Sequence, residues 1–482
     1  MSCFSDRPAP TNSIYSEIDY LKFNNSFCAI DYQKKQILFP LPEKYYQSAD
    51  FNAIINYSIP EKNTLFINSI LISSGAAFTF QNVSINDTIK LTIENNENSG
   101  KEYSLIFTGI PIVQIFSSQK MDDIKLPATF TLTSPNSDEN IQTGQIGIEK
   151  RGSSTLRLEK NSFSFEFWRR NNWNITEDRE ILEMREDDDW ILDASYWDRS
   201  FMRNRVSHDL FLDMWKIPFD NDGKSTIAGK YVELFLDNEY FGIYILSERI
   251  DRKLLQLSKQ KSILFKAVSD QVEDQEKYRI KYPDEIERGG RQRAWDDLDE
   301  LNTFIEFNNS ESFQFEIKEL VDIENVVNYQ LLLFVTSALD NSARNYYLAR
   351  NGEGKFFFAP WDMDATFGRF AFSSKRHHFK WIENFGGSIL LTALMEEDFY
   401  KEMLKTRYFE LRQNLFQKDA LINRFEEYFS QLYNSGAYQR NMDRWPITDE
   451  YFDDDDYADD YIYIRSWISR RINKLDDLMN NL

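Results

Sequence analysis

The stretch Phe356-Phe-Phe-Ala-Pro-Trp-Asp362-Met-Asp364-Ala-Thr-Phe-Gly368 joins a strongly apolar run to two carboxylates and a glycine. The apolar run predicts a buried strand. If that strand continues past Trp361, Asp362 and Asp364 lie on the same side of it, because side chains alternate along a strand. Two carboxylates at the end of a buried strand are costly unless a cation neutralises them, and magnesium accepts such ligands. A salt bridge to an arginine such as Arg369 is the alternative interpretation.

The first of the two polar motifs in chain order, Asp340-Asn-Ser-Ala-Arg-Asn345-Tyr-Tyr, lies a short distance upstream, and the stretch ending at Gly368 is the second. It follows an apolar helix predicted over 326–339 and precedes a predicted strand, so the turn between them would place Asp340 and Asn345 at one rim. A simple helix exit accounts for the same residues, since Asp and Asn both suit turns. Protein kinases use the same order of a proton-accepting Asp, a magnesium-binding Asn and a metal-binding Asp. Together the two motifs predict an Mg-ATP site that transfers a phosphoryl group.

A nucleotide site also needs cations for the phosphates, and Lys160 and Arg151 are the candidates. Lys160 precedes the alternating strand predicted over 163–167, and Arg151 begins an Arg-Gly-Ser-Ser turn. Glu248, at the end of a predicted hairpin, would pair with such a cation or line the nucleotide pocket. The alternatives are a solvated surface lysine and a structural ion pair.

The composition excludes several other functions. The chain has 482 residues and a formal net charge of −22, so nucleic-acid phosphates would be repelled. Three histidines and two cysteines exclude a His-rich metal site and a disulfide framework. No Walker sequence or kinase Gly-x-Gly-x-x-Gly loop is present, which excludes a P-loop NTPase and disfavours an ordinary protein kinase. The sequence also lacks an apolar run of 18 residues that could span a membrane.

The order of the predicted elements indicates an α+β chain with strands first and helices after. Short alternating segments between about 12 and 117 predict a small antiparallel sandwich. We predict a disordered tail over 1–11, a β-sandwich module over 12–120, a linker over 121–140 and a catalytic domain over 141–482. Cys3 is either the remainder of a lipoprotein anchor site or a free cysteine in the tail.

Several motifs, in order, resemble those of the spore-coat-protein-H (CotH) family of atypical kinases. Pro360-Trp-Asp-Met-Asp-Ala-Thr-Phe-Gly368 is the most specific of them, and the resemblance covers roughly 140–480. The other matching segments are Arg151-Gly-Ser-Ser-Thr155, Lys160 with the strand after it, Trp190-Ile-Leu-Asp-Ala-Ser-Tyr-Trp-Asp198 with Arg203-Asn204, Phe241-Gly-Ile-Tyr-Ile-Leu-Ser-Glu248, and Asp340 to Asn345.

This resemblance implies a divergent two-lobed protein-kinase-like domain, preceded by an immunoglobulin-like sandwich. It implies Asp340 as the catalytic base, Asp362, Asn345 and Asp364 as ligands of Mg²⁺ or Mn²⁺, and Lys160 and Arg151 as phosphate contacts. Family members are exported and phosphorylate Ser or Thr of extracellular or coat proteins, so a protein acceptor and a surface or periplasmic location, with a lipid anchor through Cys3, are expected. Ser153 replaces the usual Asn of the Arg-Gly turn, which bears on a contact of that turn.

Two other functions are compatible with the same residues. A kinase-like fold without activity would serve as a surface scaffold or binding protein and would not bind ATP in a metal-dependent way. Transfer of a phosphoryl or nucleotidyl group to a non-protein acceptor such as a glycan would use the same side chains.

Overall fold

The computed structural model describes residues 17–95, 100–135, 141–152, 154–170, 175–269, 277–284, 289–307, 312–369, 387–446 and 457–482. The predicted tail over 1–11, Cys3 and Ser153 lie outside these residues.

The strands of the described residues fall into an N-terminal group, a central group and a group flanking the two polar motifs. They are β1 (Tyr20–Phe23), β2 (Ser26–Phe27), β3 (Ala29–Asp31), β4 (Gln36–Pro40), β5 (Ala49–Ser58), β6 (Thr64–Ile67), β7 (Ile70–Ile72), β8 (Ala76–Val83), β9 (Thr88–Glu94), β10 (Gly100–Thr108), β11 (Ile112–Ser117), β12 (Leu126–Thr133), β13 (Ile141–Arg151), β14 (Ser162–Trp168), β15 (Asp189–Asp193), β16 (Gly229–Leu236), β17 (Glu239–Ser247), β18 (Ile263–Ala267), β19 (Tyr278–Tyr282), β20 (Tyr346–Arg350) and β21 (Phe356–Pro360).

The α-helices of the described residues lie mainly in the second half of the chain. They are α1 (Arg203–Met214), α2 (Gly290–Phe307), α3 (Phe313–Leu320), α4 (Ile323–Thr336), α5 (Ile389–Glu396), α6 (Asp398–Leu411), α7 (Lys418–Asn434), α8 (Ala437–Arg444) and α9 (Tyr457–Asn481). The predicted α+β class, with many strands in the N-terminal region, is confirmed.

The chain divides into two compact units, each assembled from three separate segments. The first unit comprises Met1–Tyr196, Gly229–Ser247 and Ser430–Ile447, and the second comprises Trp197–Ala228, Glu248–Phe429 and Thr448–Leu482.

The N-terminal part of the first unit contains two sheets that share one core. Their strand orders are β2-β1-β5-β8 and β3-β4-β10-β9-β6-β7. Aromatic rings from both sheets meet in this core: the Phe39 and Phe51 ring centroids are 5.7 Å apart, and those of Phe80 and Phe107 are 5.4 Å apart. The alternation of buried and exposed residues along β5 follows from this packing, because one face of the strand meets the core.

The rest of the first unit is a closed barrel with the strand order β11-β12-β13-β14-β15-β17-β16. The barrel closes through parallel pairing of β11 with β16, while β16 and β17 form the predicted hairpin. Strands β11 and β12 belong to this barrel, although the sequence placed 112–117 in the sandwich and 126–133 in a linker. Their short strand patterns resemble those of the preceding module, so alternation alone gave no sign that the sheet changes there.

A buried ion pair joins the barrel to helix α8. Arg440 donates from Nε and Nη2 to the two carboxylate oxygens of Glu233, both at 2.9 Å. Thr108 and Tyr240 also donate to this carboxylate, at 2.7 and 2.9 Å. Burial by itself would lower the pKa of Arg440, but the Glu233 carboxylate raises it by more, so the net shift is upward and the guanidinium stays charged. Every oxygen of the buried carboxylate therefore has partners, which such a charge requires.

In the second unit, a sheet of order β19-β18-β20-β21 packs against the apolar helix α4. Asp322 caps this helix by accepting from the Asn325 N–H at 2.9 Å. The buried Asn325 amide then exchanges two hydrogen bonds with the Phe358 backbone, at 2.9 and 2.7 Å. The Tyr329 ring stacks on Phe358 at 4.6 Å. These contacts fix the N-terminal half of α4 against β21, and the opposite end of the helix leads into the Asp340–Asn345 motif.

Arg440→Met is expected to destabilise the first unit by about 3–5 kcal/mol, because it leaves the Glu233 carboxylate buried without its cation. The measurement is the urea-unfolding transition followed by a probe in the first unit. Lys90→Met is the control, since the Lys90–Glu102 pair is exposed (side chains 54% and 62%), and its loss should cost less than about 1 kcal/mol. Equal losses in the two variants would contradict the assigned role of Arg440.

Candidate functional site

The two polar motifs meet at one end of the β20–β21 hairpin. These strands are antiparallel, with Tyr346 opposite Pro360. Asn345 precedes the first of them and Trp361 follows the second, so both lie just beyond the same strand ends. The Trp361 N–H donates to the Asn345 carbonyl at 3.1 Å. The structure thus brings the segments of Asn345 and Asp362 together.

A buried asparagine fastens the two segments. The Asn341 Nδ2 donates to the carbonyls of Asn345 and Trp361, at 2.8 and 2.7 Å. The backbone carbonyl of Asn341 accepts from the Tyr329 hydroxyl at 2.6 Å. Sequence reasoning missed Asn341, because an Asn in a turn is ordinary. The available signal was its position directly after Asp340, within a motif that already contained Asn345.

Asp340 lies in a short 3₁₀ turn, Asp340–Ser342, beyond the end of α4. Helix α4 stops at Ser337, which adopts a left-handed conformation with φ of 57°. Arg344 donates to the Asp340 Oδ2 at 3.2 Å, and the Asp340 side chain is 21% exposed. The predicted base is therefore accessible and oriented by its neighbour four residues on.

The metal ligands predicted from the second motif are not arranged by strand alternation. Strand β21 ends at Pro360, and Asp362 has a φ of 56°, in the left-handed region. Asp362 is exposed and Asp364 is half-buried. The prediction that Asp362 and Asp364 lie on one side of the strand required the strand to continue past Trp361, and it does not. The ladder ends at the proline, and irregular backbone with a left-handed Asp362 follows it.

The salt bridge to Arg369 that the sequence offered as an alternative is reflected in the charges near Arg369, which include Asp364. Burial and the neighbouring Arg203 lower the pKa of Arg369 to about 10, against the opposing charges of Asp198, Asp460 and Asp364. Asp364 therefore has a cationic neighbour, and Asp362 is the more exposed residue of the two. The set of Asp362, Asn345 and Asp364 offers the oxygen ligands that Mg²⁺ and Mn²⁺ take, so the residues present fit such an ion.

The Asp198…Arg203 segment forms a buried support for helix α1. The Arg203 guanidinium bonds Asp198 at 2.7 Å and, through two nitrogens, Asp460 at 2.8 and 2.9 Å. The Asp198 carboxylate also accepts from the Arg203 N–H at 2.8 Å, which satisfies a donor at the start of the helix. Asp198 and Arg203 therefore hold the start of α1 in place together with Asp460 of α9.

The last residues of the second motif are fixed by packing. Gly368 has a φ of 90°, and a Cβ there would lie 2.6 Å from the Tyr463 hydroxyl and 2.7 Å from the Trp467 ring. The Phe367 ring meets Phe425 and Trp467 at 4.8 and 5.9 Å. The Phe-Gly pair therefore anchors the loop that carries Asp362 and Asp364.

Glu248 belongs to the second unit and is fully buried. Its carboxylate accepts from Lys224 at 2.5 Å and from the Ala228 N–H at 2.8 Å. These contacts correspond to the structural ion pair that the sequence left open for this residue.

Lys160 and Arg151 belong to the first unit. The buried Lys160 ammonium donates to the carbonyls of Ala194 and Ile243, at 2.9 and 2.7 Å, and lies 4.8 Å from the centre of the Tyr244 ring. Burial lowers the Lys160 pKa to about 7, against the opposing charge of Asp193. Arg151 ends β13, and the Gly152 that follows has a φ of 130° and abuts Thr155. Lys160 therefore binds within the barrel wall, and its predicted phosphate contact stays a prediction.

A family model described as CotH kinase protein matches residues 148–475. The chain belongs to this family. The resemblance inferred from the motifs is thereby confirmed. The chain is also similar to the inner spore coat protein H of Bacillus subtilis (strain 168), with 24% identity over 330 residues, which cover 64% of this chain and 83% of that protein. The matched range of the CotH family model includes every predicted site residue. Among the described residues, no helix is both long and apolar enough to cross a membrane.

Asn341→Asp should lower the free energy of unfolding of the second unit by about 2–4 kcal/mol, because it replaces an amide donor with an oxygen that faces two carbonyls. Hydrogen exchange at the Trp361 N–H should speed up with it. Asn328→Asp is the control, because the Asn328 Nδ2 donates within its own helix, to Glu324 at 2.8 Å, and the variant keeps the oxygen that accepts from Arg407 at 3.1 Å. Unchanged exchange at Trp361 would show that Asn341 does not fasten the two segments.

The Lys160 ammonium should make stability depend on pH. Its pKa is about 7 when folded and 10.5 as the ordinary value, so the unfolded chain binds more protons between these limits and stability rises with pH there. From pH 7 to pH 9 the gain should be on the order of 2 kcal/mol, and Lys160→Met should lack it. Urea unfolding of both proteins across this range is the measurement. Parallel pH profiles would refute the shifted pKa.

Proposed function

We propose that this protein transfers a phosphoryl group from ATP, with Mg²⁺ or Mn²⁺, to Ser or Thr of exported or cell-surface proteins. The observation that carries the proposal is that the segments of Asn345 and Asp362 meet at one hairpin end and are fastened there by Asn341, the residue directly after Asp340. Membership of the CotH kinase family supports it. The proposal includes a two-lobed kinase-like arrangement, an immunoglobulin-like N-terminal module and the domain boundaries predicted from the sequence.

The chemistry assigns one task to each side chain. Asp362, with Asn345 and Asp364, would hold the metal ion, which neutralises charge on the phosphates when it is bound. Asp340 accepts the proton of the acceptor hydroxyl. The hydroxyl oxygen forms a bond to the γ-phosphorus, the bond from that phosphorus to the β,γ-bridging oxygen breaks, and ADP leaves with the electron pair.

The position of Asp340 suits a base. Arg344 bonds Oδ2, and within the described residues no hydrogen bond reaches Oδ1. One carboxylate oxygen is therefore oriented while the other is available to a hydroxyl. Lys160 and Arg151 are proposed as phosphate contacts, and Glu248 as a partner of the nucleotide site through Lys224. A lipid anchor through Cys3 is proposed for an exported, surface-bound protein.

Calorimetric titration with ATP tests the site. Wild type should bind ATP only with Mg²⁺ or Mn²⁺, and Asp362→Ala should lose this binding because a ligand of the ion is removed. Asp398→Ala is the control, since that carboxylate is fully exposed on the same unit. Absence of binding by wild type under either metal would favour the scaffold function and overturn the proposal.

Asp340→Asn should keep metal-dependent ATP binding and reduce transfer at least about 10²-fold, the usual contribution of a general base. Transfer is followed with γ-labelled ATP on Ser- and Thr-containing proteins and on glycans. Label from α-labelled ATP in the acceptor would instead indicate nucleotidyl transfer. Full transfer by Asp340→Asn would remove Asp340 from the role of base.

A further inference from the structure

Helix α1 contacts the loop after β21 through one of its faces. Asn204, Ser207 and His208 share that face, because residues three and four apart are neighbours on a helix. The Asn204 Oδ1 accepts from the Met363 N–H at 2.9 Å. The Ser207 hydroxyl lies 3.4 Å from that of Thr366. The first of these bonds fixes the backbone directly after Asp362.

His208 acts on the other side of Asp362 through a threonine. The buried imidazole Nδ1 lies 2.7 Å from the Thr226 Oγ1, and Thr226 donates to the Pro360 carbonyl at 3.0 Å. A hydroxyl has a single hydrogen, and Thr226 uses it on Pro360. The Thr226 oxygen must therefore accept from His208, which fixes the tautomer with the hydrogen on Nδ1.

Asp362 occupies a conformation that needs such support. Its φ of 56° is unfavourable for a residue with a Cβ, and a strained conformation persists only where its surroundings over-determine it. Here Thr226, bonded to His208 of α1, holds the Pro360 carbonyl two residues before Asp362, and Asn204 of α1 holds the Met363 N–H one residue after it. The exposed carboxylate thus projects from a backbone that is fixed on both sides.

We propose that Asn204 and His208 are positioning residues that preorganise Asp362 for its metal ion, an inference that rests on the proposed function. Neither residue touches the ion or the nucleotide in this assignment. Each acts through the backbone that displays Asp362. A ligand held in place before the ion arrives loses less freedom on binding. The clamp formed by Asn204 and His208 should therefore raise the affinity for the metal ion in the presence of nucleotide.

The test is the affinity of the full chain for Mn²⁺ at saturating ATP, measured by electron paramagnetic resonance. Asn204→Ala and His208→Ala should each weaken Mn²⁺ binding about tenfold. His208→Asn should restore most of the affinity, since its amide nitrogen can donate to Thr226 from near the position of Nδ1. Asn204→Asp keeps an acceptor for the Met363 N–H and serves as the milder variant if an alanine variant fails to fold.

Tyr400→Phe is the matched control for a purely structural effect. Tyr400 is buried in the same unit and donates to Gln330 at 2.7 Å, away from the Asp362 loop. It should lower the melting temperature like the other variants and leave Mn²⁺ affinity unchanged. Wild-type Mn²⁺ affinity in folded Asn204 and His208 variants would overturn the clamp and leave the proposed function standing. Failure of wild type to bind Mn-ATP would overturn both.

Discussion

The candidate site depends on satisfying two backbone carbonyls where a pair of strands ends. At such an end the ladder supplies fewer partners, here the Trp361 N–H for the Asn345 carbonyl, and partly buried carbonyls that lack donors are costly. The single amide of Asn341 serves both, those of Asn345 and Trp361. Its two hydrogens are spread by a fixed geometry, so the segments that follow are held at a fixed separation. The proposed catalytic loop and the proposed metal-binding loop would need that relation to each other before any substrate arrives.

Buried charges make the same kind of connection on a larger scale. Arg203 joins the start of α1 to Asp460 on α9, and Arg440 joins α8 to the barrel through Glu233. In each case the guanidinium forms paired hydrogen bonds, for which its planar shape is suited. Such pairs add little net stability compared with apolar packing, but a missing partner is severely penalised. They therefore specify which segments come together more than they strengthen the result.

The sequence predicted the elements of the fold better than their associations. Alternation identified the N-terminal strands and the β16–β17 hairpin, and apolar periodicity identified α4, because each of these signals is local. The inclusion of β11 and β12 in the barrel depends on pairing with β16, more than a hundred residues away. Among site residues, the proximity of the Asn345 and Asp362 segments was expected from the kinase-like order of the two motifs. The roles of Asn341, Asn204 and His208 could not be predicted, because these side chains act on backbone atoms whose positions cannot be read from the sequence.

The separation of Glu233 from Arg440 along the chain has a consequence for biosynthesis. About 200 residues lie between them, which takes roughly 10–40 s at ordinary rates of translation. During that interval the emerging barrel contains a carboxylate that its completed form buries against a guanidinium not yet made. The nascent first unit is therefore incomplete until α8 leaves the ribosome, although its N-terminal sheets, whose strands all lie between Tyr20 and Thr108, can pack long before.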